Sequence, residues 1–338
     1  MGFADFWFMA GWSHELSEKP VRRIVMSQPL AMFRCSDGQA AILEDRCSHR
    51  NYPISRSTLT NDTLQCGYHG LTFNRHGHCI YAPGQDRPPP RADLRSYPVA
   101  ERNGVLWVWP GDATRADDSL VPDLTYLEAE GWSSFTGGYF HLQCNDQLLA
   151  ENLLDTSHVA FVHKNTMGSD PDLMARNGIK VRPLENGVSR IVTATGLATP
   201  ALYRPSDLVG DSVDHRIVSS MLPGLYQNEV VIKNVGDPWK DDTAEGPYPI
   251  KTRSFHGIVP ETERTTHYFF GGAFKKIDIP GLTADQAEKI LMEDIDVLES
   301  LQSNIDLVGE RPTINLQNDL AVMHWRSFVR NKHSELEQ

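Results

Sequence analysis

Four residues constrain this chain more than any others: Cys47, His49, Cys66 and His69. They stand as Cys47-Ser48-His49 and, further on, Cys66-Gly67-Tyr68-His69. Each short segment supplies one thiolate and one imidazole. A zinc knuckle made of two cysteines and two histidines sets cysteine near cysteine and histidine near histidine. The mixed pairing suits a [2Fe–2S] cluster clamped between two loops, two cysteines on one iron and two histidines on the other. Imidazole in place of thiolate reduces the negative charge and raises the potential, so such a site is an electron relay. Gly67 and Gly70 lie within and just after the second loop, where a missing Cβ lets backbone amides approach sulfur.

The surrounding pattern predicts a scaffold for two such loops. From about residue 20 to 110 the chain runs in short apolar stretches broken by turn signals such as Ser36-Asp37-Gly38 and Pro110-Gly111. This reads as small antiparallel sheets with the cluster loops at one tip. The proline-rich run 85–90 reads as a rigid surface connection. The polar stretch 111–122 marks a boundary, giving domains 1–115 and 116–338. The second part mixes both element types. Residues 148–163 read as a helix, and 191–195, 216–221, 229–233, 252–259 and 266–270 as strands of one larger antiparallel sheet. Residues 283–308 read as a long helix, capped by Thr283, with Asp285 in the first turn. Ile290, Leu291, Ile295, Leu298 and Leu301 give it a buried face. The fold class is α+β: an all-β N-terminal domain, then an antiparallel sheet flanked by helices. Two polar, Gly- and Pro-rich segments, 164–177 and 236–249, read as lids or surface loops.

Bulk properties narrow the partners. The formal charge of -12, from 32 basic and 44 acidic residues, argues against nucleic acid. Five cysteines leave Cys35, Cys79 and Cys144 beside the cluster pair, an odd number that argues for a reducing compartment. The apolar stretch 2–12 carries Asp5, lacks a basic start and is too short to span a membrane. The expectation is a cytoplasmic protein without a membrane segment.

Cys-Ser-His-Arg at 47–50, followed by Cys-Gly-Tyr-His-Gly-Leu at 66–71, resembles the Rieske domain of Rieske non-haem iron oxygenases. Stretches 16–20, 105–111, 151–163 and 260–271 extend the resemblance over nearly the whole chain, toward small single-subunit oxygenase components. The resemblance implies a helix-grip-like catalytic domain with a mononuclear Fe(II). It also implies O₂ as co-substrate and a homotrimer. No clear Gly-x-Gly-x-x-Gly fingerprint is present, so electrons from NAD(P)H should arrive through a separate flavin reductase or ferredoxin.

Asn152, Asp155 and His158 are spaced by three, along one side of a helix. His163 follows His158 by five residues, and five residues turn an ideal helix by about 500°, leaving the side chains roughly 140° apart. A π-type bulge or a helix end must bring His163 round. Iron(II) that activates O₂ takes two histidines and one carboxylate on one face. The long helix offers Glu293, Asp294, Asp296 and Glu299. Asp294 shares the face of Leu291 and Leu298, while Glu293 and Asp296 fall toward solvent. The family carries an acidic residue at the position of Asp294. The expected ligands are therefore His158, His163 and Asp294. By resemblance, Asp155 bridges a cluster histidine, His69, of one subunit to His158 of the next, and Asn152 lies near the iron. His256 and, with weaker register, Arg216 are the expected substrate-binding residues.

Three functions are compatible with these motifs. The first is oxidative O- or N-dealkylation of a substituted aromatic compound, releasing an aldehyde. The second is ring or methyl hydroxylation, including cis-dihydroxylation by a dioxygenase. The third is a non-enzymatic Rieske electron carrier, which the three mononuclear ligands disfavour.

Overall fold

The computed structural model describes residues 2–17, 19–167, 178–200, 209–239, 248–275 and 283–334. The chain divides into two compact units, Met1–Leu124 with Val259–Thr262, and Thr125–Ile258 with Glu263–Gln338. The division falls after the polar stretch rather than at 115. The turns that follow 115 are tied to the first unit's N-terminal segment: Trp7 Nε1 donates to the Asp117 carbonyl at 2.8 Å.

The first unit is all β. Its strands are β1 (Phe8–Trp12), β2 (Val21–Val25), β3 (Gln28–Arg34), β4 (Ala40–Glu44), β5 (Thr58–Thr60), β6 (Thr63–Gln65), β7 (Thr72–Asn74), β8 (Cys79–Tyr81), β9 (Val99–Arg102) and β10 (Val105–Val108). They form three sheets, ordered β1-β10-β9, β2-β3-β4 and β5-β6-β7-β8. All pairs are antiparallel, as short alternating strands joined by tight turns require. Phe33, Leu43, Ile54, Leu64 and Phe73 fill one core, and Cys47 and Cys66 belong to it. The first cluster loop leaves β4 and the second leaves β6, so one apolar cluster sets both.

The second unit is built on a seven-stranded antiparallel sheet. Its strands are β11 (Trp132–Leu142), β12 (Gly178–Leu184), β13 (Gly187–Ala198), β14 (Ser212–Leu222), β15 (Leu225–Asn234), β16 (Ile250–Pro260) and β17 (Thr266–Lys275), in the order β11-β17-β16-β15-β14-β13-β12. The register places Arg190 opposite Ser219, Ser219 opposite Asn228 and Asn228 opposite Ser254. Tyr226 stands opposite His256. Directly opposed residues share a face and neighbours along a strand alternate. One face therefore carries Arg190, Ser219, Asn228, Ser254, Tyr226 and His256. The other carries Asp214, Arg216, Lys233, Glu229 and Lys251.

Among the described residues the α-helices are α1 (Asp146–Leu154), α2 (Val159–Val162), α3 (Ala284–Val308) and α4 (Leu320–Ser334). Asn145 caps α1 by accepting from Gln147 N, and Thr283 caps α3 by accepting from Gln286 N. The helix expected over 148–163 is instead two pieces separated at Asp155–His158. α3 buries Leu291, Asp294, Ile295, Leu298 and Gln302. Leu301, expected on that face, is exposed, and Gln302 takes the inner position because its Oε1 accepts from Asn145 N at 2.9 Å. α4 was not anticipated; its Trp325 Nε1 donates to Gln147 Oε1 at 2.9 Å and ties it to α1. Among the described residues no helix is long and apolar enough to cross a membrane. Of the two segments expected as loops, residues 168–177 and 240–247 lie outside the described residues.

Candidate metal centres

The two cluster loops close by the same pair of backbone bonds. Cys47 N donates to Tyr52 O at 2.8 Å, and the Cys47 carbonyl accepts from Asn51 N at 2.9 Å. Cys66 N donates to Leu71 O at 2.7 Å, and the Cys66 carbonyl accepts from Gly70 N at 2.9 Å. The residue four after each cysteine, Asn51 or Gly70, sits in the left-handed region that Gly and Asn tolerate, with φ of 58° and 78°. This brings His49 and His69 together, ring centroids 4.4 Å apart. The cysteines are buried and the histidines exposed. Burial pushes the Cys47 thiol up, as does the adjacent Cys66 sulfur, while the His49 and Arg50 amides oppose the rise. Desolvation, then the neighbouring His49 and Arg50 charges, hold His69 below the ordinary imidazole range. A neutral imidazole is the form that ligates a metal. Two inner sulfurs and two outer imidazoles can hold one [2Fe–2S] cluster, its imidazole-bound iron toward solvent.

The second centre lies where α1 ends. Asp155 leaves the helix with φ -99° and ψ 128°. Its carboxylate accepts from Ser157 N at 2.7 Å and from Ser157 Oγ at 2.9 Å. This local turn competes with the helix and breaks it. His158 and His163 then flank α2, one at each end. The break resolves the angular conflict of a five-residue spacing without a π-bulge. His158 Nε2 lies 3.4 Å and His163 Nε2 3.2 Å from the same oxygen, Asp294 Oδ1. One donor atom from each of the three residues lies within 4.8 Å of the others. His163 is 2% exposed and Asp294 5%.

Each imidazole has a carboxylate behind it. Asp155 Oδ2 is 3.6 Å from His158 Nδ1, and Glu293 Oε2 is 2.8 Å from His163 Nδ1. Burial raises the Asp155 carboxyl, but the contacts from His158 and Ser157 outweigh it and leave the group below the ordinary range. Burial lowers His163, but Asp294 and Glu293 outweigh it and draw the imidazole upward. Three carboxylates around two histidines favour positive charge between them, from a bound cation or a protonated ring. The donor set of two imidazoles and one carboxylate is the one non-haem iron(II) takes, so the residues fit that metal. Carboxylates behind the rings fix their orientation and raise their basicity. Glu293 was expected toward solvent and is instead part of the centre. Its Oε2 also accepts from Thr166 Oγ1 at 2.6 Å. The only sequence signal was its place beside Asp294. Asn152 Nδ2 donates to Asp294 Oδ1 at 3.1 Å.

The two expected substrate residues part company. Arg216 lies on the sheet face opposite to that of His256, and its guanidinium stacks over Trp239 at 4.0 Å from the ring centroid. They cannot line one pocket. The strand periodicity was read correctly, but the face of Arg216 depends on a register that the sequence left open. On the His256 face, Tyr268 Oη lies 2.6 Å from His256 Nδ1 and Ser254 Oγ lies 3.2 Å from His256 Nε2. Ser254 Oγ donates onward to Asn228 Oδ1 at 2.7 Å. Ser254 Oγ gives its proton to Asn228, so His256 Nε2 donates to Ser254; burial keeps the ring neutral, and Nδ1 then accepts from Tyr268 Oη. Burial lowers His256 to about 4, with Asp294 opposing. Burial, then Asp294 and Tyr226, raises the Tyr268 hydroxyl well above its ordinary value. Asp294 thus acts on both groups, so this wall borders the second centre. Both nitrogens of His256 are engaged, and the chain of bonds ends on Asn228.

Residues 6–98 match the Rieske [2Fe-2S] domain, and residues 142–335 match the vanillate O-demethylase oxygenase C-terminal domain. The chain is 33% identical over 334 residues to the oxygenase component of dicamba O-demethylase from Stenotrophomonas maltophilia, covering 94% of each chain. It is 30% identical to the oxygenase component of chloroacetanilide N-alkylformylase from Rhizorhabdus wittichii, covering 97% of this chain and 95% of that one. A crystal structure of dicamba monooxygenase with non-haem iron and dicamba superposes with a TM-score of 0.79 at 29% identity, covering 100% of this chain and 99% of that one. The cluster loops, the convergent histidines and this end-to-end likeness have one conclusion: the chain belongs to the Rieske non-haem iron oxygenases, in the branch whose catalytic half is the vanillate O-demethylase oxygenase C-terminal domain.

Proposed function

We propose that this oxygenase component removes an O- or N-alkyl group oxidatively from a substituted aromatic compound and releases an aldehyde. The carrying observation is the convergence of His158 Nε2 and His163 Nε2 on Asp294 Oδ1. In this reading those three residues hold Fe(II), and Cys47, His49, Cys66 and His69 hold the cluster. Fe(II) bound there supplies the O₂ chemistry that oxidation of an alkyl carbon needs. Asp155 and Glu293 keep the two ligand rings aimed. The likeness to a dicamba O-demethylase and to an N-alkylformylase supports dealkylation from either heteroatom.

The substrate pocket in this reading is bounded by the His256 wall. Its bonds run through uncharged side chains, from Tyr268 through His256 and Ser254 to Asn228. Asn228 is left as the donor for a carbonyl or carboxylate oxygen on the aromatic substrate, with His256 holding it through Ser254. Arg216 has no part in it.

Electrons reach the chain from NAD(P)H through a flavin reductase, with or without a ferredoxin. A groove of about 250 Å³ opens beside Asn152, Asp155 and His158, with Leu301 and Ile314 on its rim. Ile314 is 85% exposed. In a closed head-to-tail trimer a partner's cluster loop fills this groove and sets its outer histidine against Asp155.

The test is formaldehyde or other aldehyde release by the reconstituted oxygenase with a surrogate reductase. The panel holds aryl methyl ethers, N-alkyl anilides, N-alkyl phenylureas and unmethylated aromatic acids. Aldehyde matched to the NADH and O₂ consumed establishes dealkylation. Hydroxylated or diol product without aldehyde moves the chain to ring or methyl hydroxylation.

A further inference from the structure

Arg190 is a buried cation, 2% exposed, with no anionic partner among the described residues. Nη1 donates to the carbonyl of Leu154, the last residue of α1, and Nη2 donates to Tyr226 Oη at 3.3 Å. Nε has no hydrogen-bond partner among the described residues. Burying a guanidinium on two neutral acceptors is costly. The favourable side of the balance is the place it occupies. The last carbonyls of a helix lack intrahelical partners and carry the negative end of its dipole, and a cation there satisfies both. α1 ends abruptly because Asp155 turns into an extended conformation. A carbonyl orphaned by that turn needs a donor from elsewhere, and Arg190 reaches it from β13.

The residues that follow Leu154 are those the second centre uses. Asp155 comes next, Ser157 fixes its carboxylate, and His158 stands three residues beyond it. Tyr226, the other partner of Arg190, lies opposite His256 across two strands, ring centroids 5.6 Å apart. Arg190 therefore joins the pocket wall to the exit of α1.

We infer that Arg190 is a positioning residue: it clamps the Leu154 carbonyl so that Asp155 and His158 leave α1 in the geometry that lets His158 meet His163 and Asp294 on one metal ion. This rests on the reading of those three residues as a ligand set. It goes beyond that reading by naming the group that sets His158 without touching metal or substrate. Ligand atoms displaced by a fraction of an ångström lose much of their affinity, so the effect should appear in metal binding before any turnover.

The probe is Co(II), titrated into the full chain with its cluster assembled and oxidised and its mononuclear site freed of iron. The readout is the Co(II) electron paramagnetic resonance signal, against which the oxidised cluster is silent. The visible cluster absorbance and the urea midpoint are followed in parallel. Arg190→Met should weaken Co(II) binding at least tenfold with the cluster absorbance unchanged. Arg190→Lys, which can still donate to one carbonyl, should recover binding to within about threefold of the parent. Tyr226→Phe should weaken binding by about threefold and leave the fold intact. Parent-like affinity in Arg190→Met overturns the inference, as does a lysine variant no better than methionine. If Arg190→Met does not accumulate as folded protein, Tyr226→Phe carries the test, and parent-like affinity there overturns it. His158→Ala separates the two levels. If it too binds Co(II) like the parent, the ligand set itself is wrong; if it does not, an unchanged Arg190→Met refutes the positioning role alone.

Discussion

In the proposed ligand set, a carboxylate behind a histidine acts on a metal that it does not touch. Glu293 accepts from His163 Nδ1 at 2.8 Å and from Thr166 Oγ1. Glu293→Gln keeps the shape and removes the charge. Losses of this kind cost roughly ten- to a hundredfold in metal affinity, and that is the expected fall in Fe(II) binding, read by equilibrium dialysis. An affinity equal to the parent's would show that Thr166 and backbone packing alone orient the ring. His256 gives a second residue-scale expectation. His256→Ala should raise KM several-fold, because Asn228 loses the support of Ser254, while the cluster spectrum stays as it was. The same variant tests linkage. An unfolded imidazole titrates near 6.5 and the buried one near 4, so between these values the unfolded chain binds more protons. The stability that His256 contributes is complete above pH 6.5 and is lost as pH falls toward 4, on the order of 3 kcal/mol in all. The urea midpoint of the parent should therefore fall over this window more than that of His256→Ala. At this scale the approach of His158, His163 and Asp294 to one another, and of His49 to His69, was readable from residue type and spacing. Glu293 was not, because a helical wheel assigns a direction to a side chain and not the reach that brings a glutamate back to a neighbouring ring. Asn228 and Tyr268 were not either, because their value comes from cross-strand neighbours.

Among elements, α1 matters most for the second centre, and it matters by stopping. Asp155, Thr156 and Ser157 are all poor in a helix interior, since their side chains offer the backbone other bonds. The composition was visible in the sequence, yet the apolar residues on both sides outweighed it and suggested one helix over 148–163. An interruption of four residues, about one helical turn, leaves the apolar period on both sides nearly in phase. α3 was legible nearly end to end, because a capping threonine, an acidic first turn and a long apolar stripe agree. β11, β12 and α4 were missed, since a half-exposed strand and a helix packed by few residues leave weak patterns. The start of α1 is as consequential as its end. Asn145 accepts from Gln147 N at 2.8 Å and donates through Nδ2 to the Glu263 carbonyl at 3.0 Å. Asn145→Ala should cost about 1 kcal/mol, seen as a lower urea midpoint. Fe(II) binding should weaken with it, because Asn152 and Asp155 ride on the same helix. A lower midpoint with undisturbed Fe(II) affinity would mean that Arg190 alone fixes the exit.

For the whole molecule, one chain with two redox centres poses the question of which centre serves which. The proposed trimer answers that each cluster serves the iron of a neighbour. Asp155→Asn should then retain both metals and lose nearly all turnover, as the carboxylate that links His158 to the partner's cluster is gone. That outcome alone does not separate transfer between chains from transfer within one. Complementation does. Cys66→Ser yields a chain without a cluster but with its iron centre intact. Asp155→Asn yields a chain with a cluster but no entry to its own iron. Each is inactive by itself under either route. Coexpressed in equal amounts and mixed at random, they assemble rings in which some intact iron centres face a neighbour's cluster. An iron centre works when its own chain carries intact Asp155 and the chain behind it carries a cluster, so about a quarter of the parent activity per chain should return in a closed ring. Transfer confined to one chain returns none, whatever the mixture. The sedimentation mass of the mixed sample, three chains in the proposed ring, is measured beside the rate. Recovered activity in a particle of one chain would refute the ring, and a trimer without recovered activity would refute transfer across its interfaces.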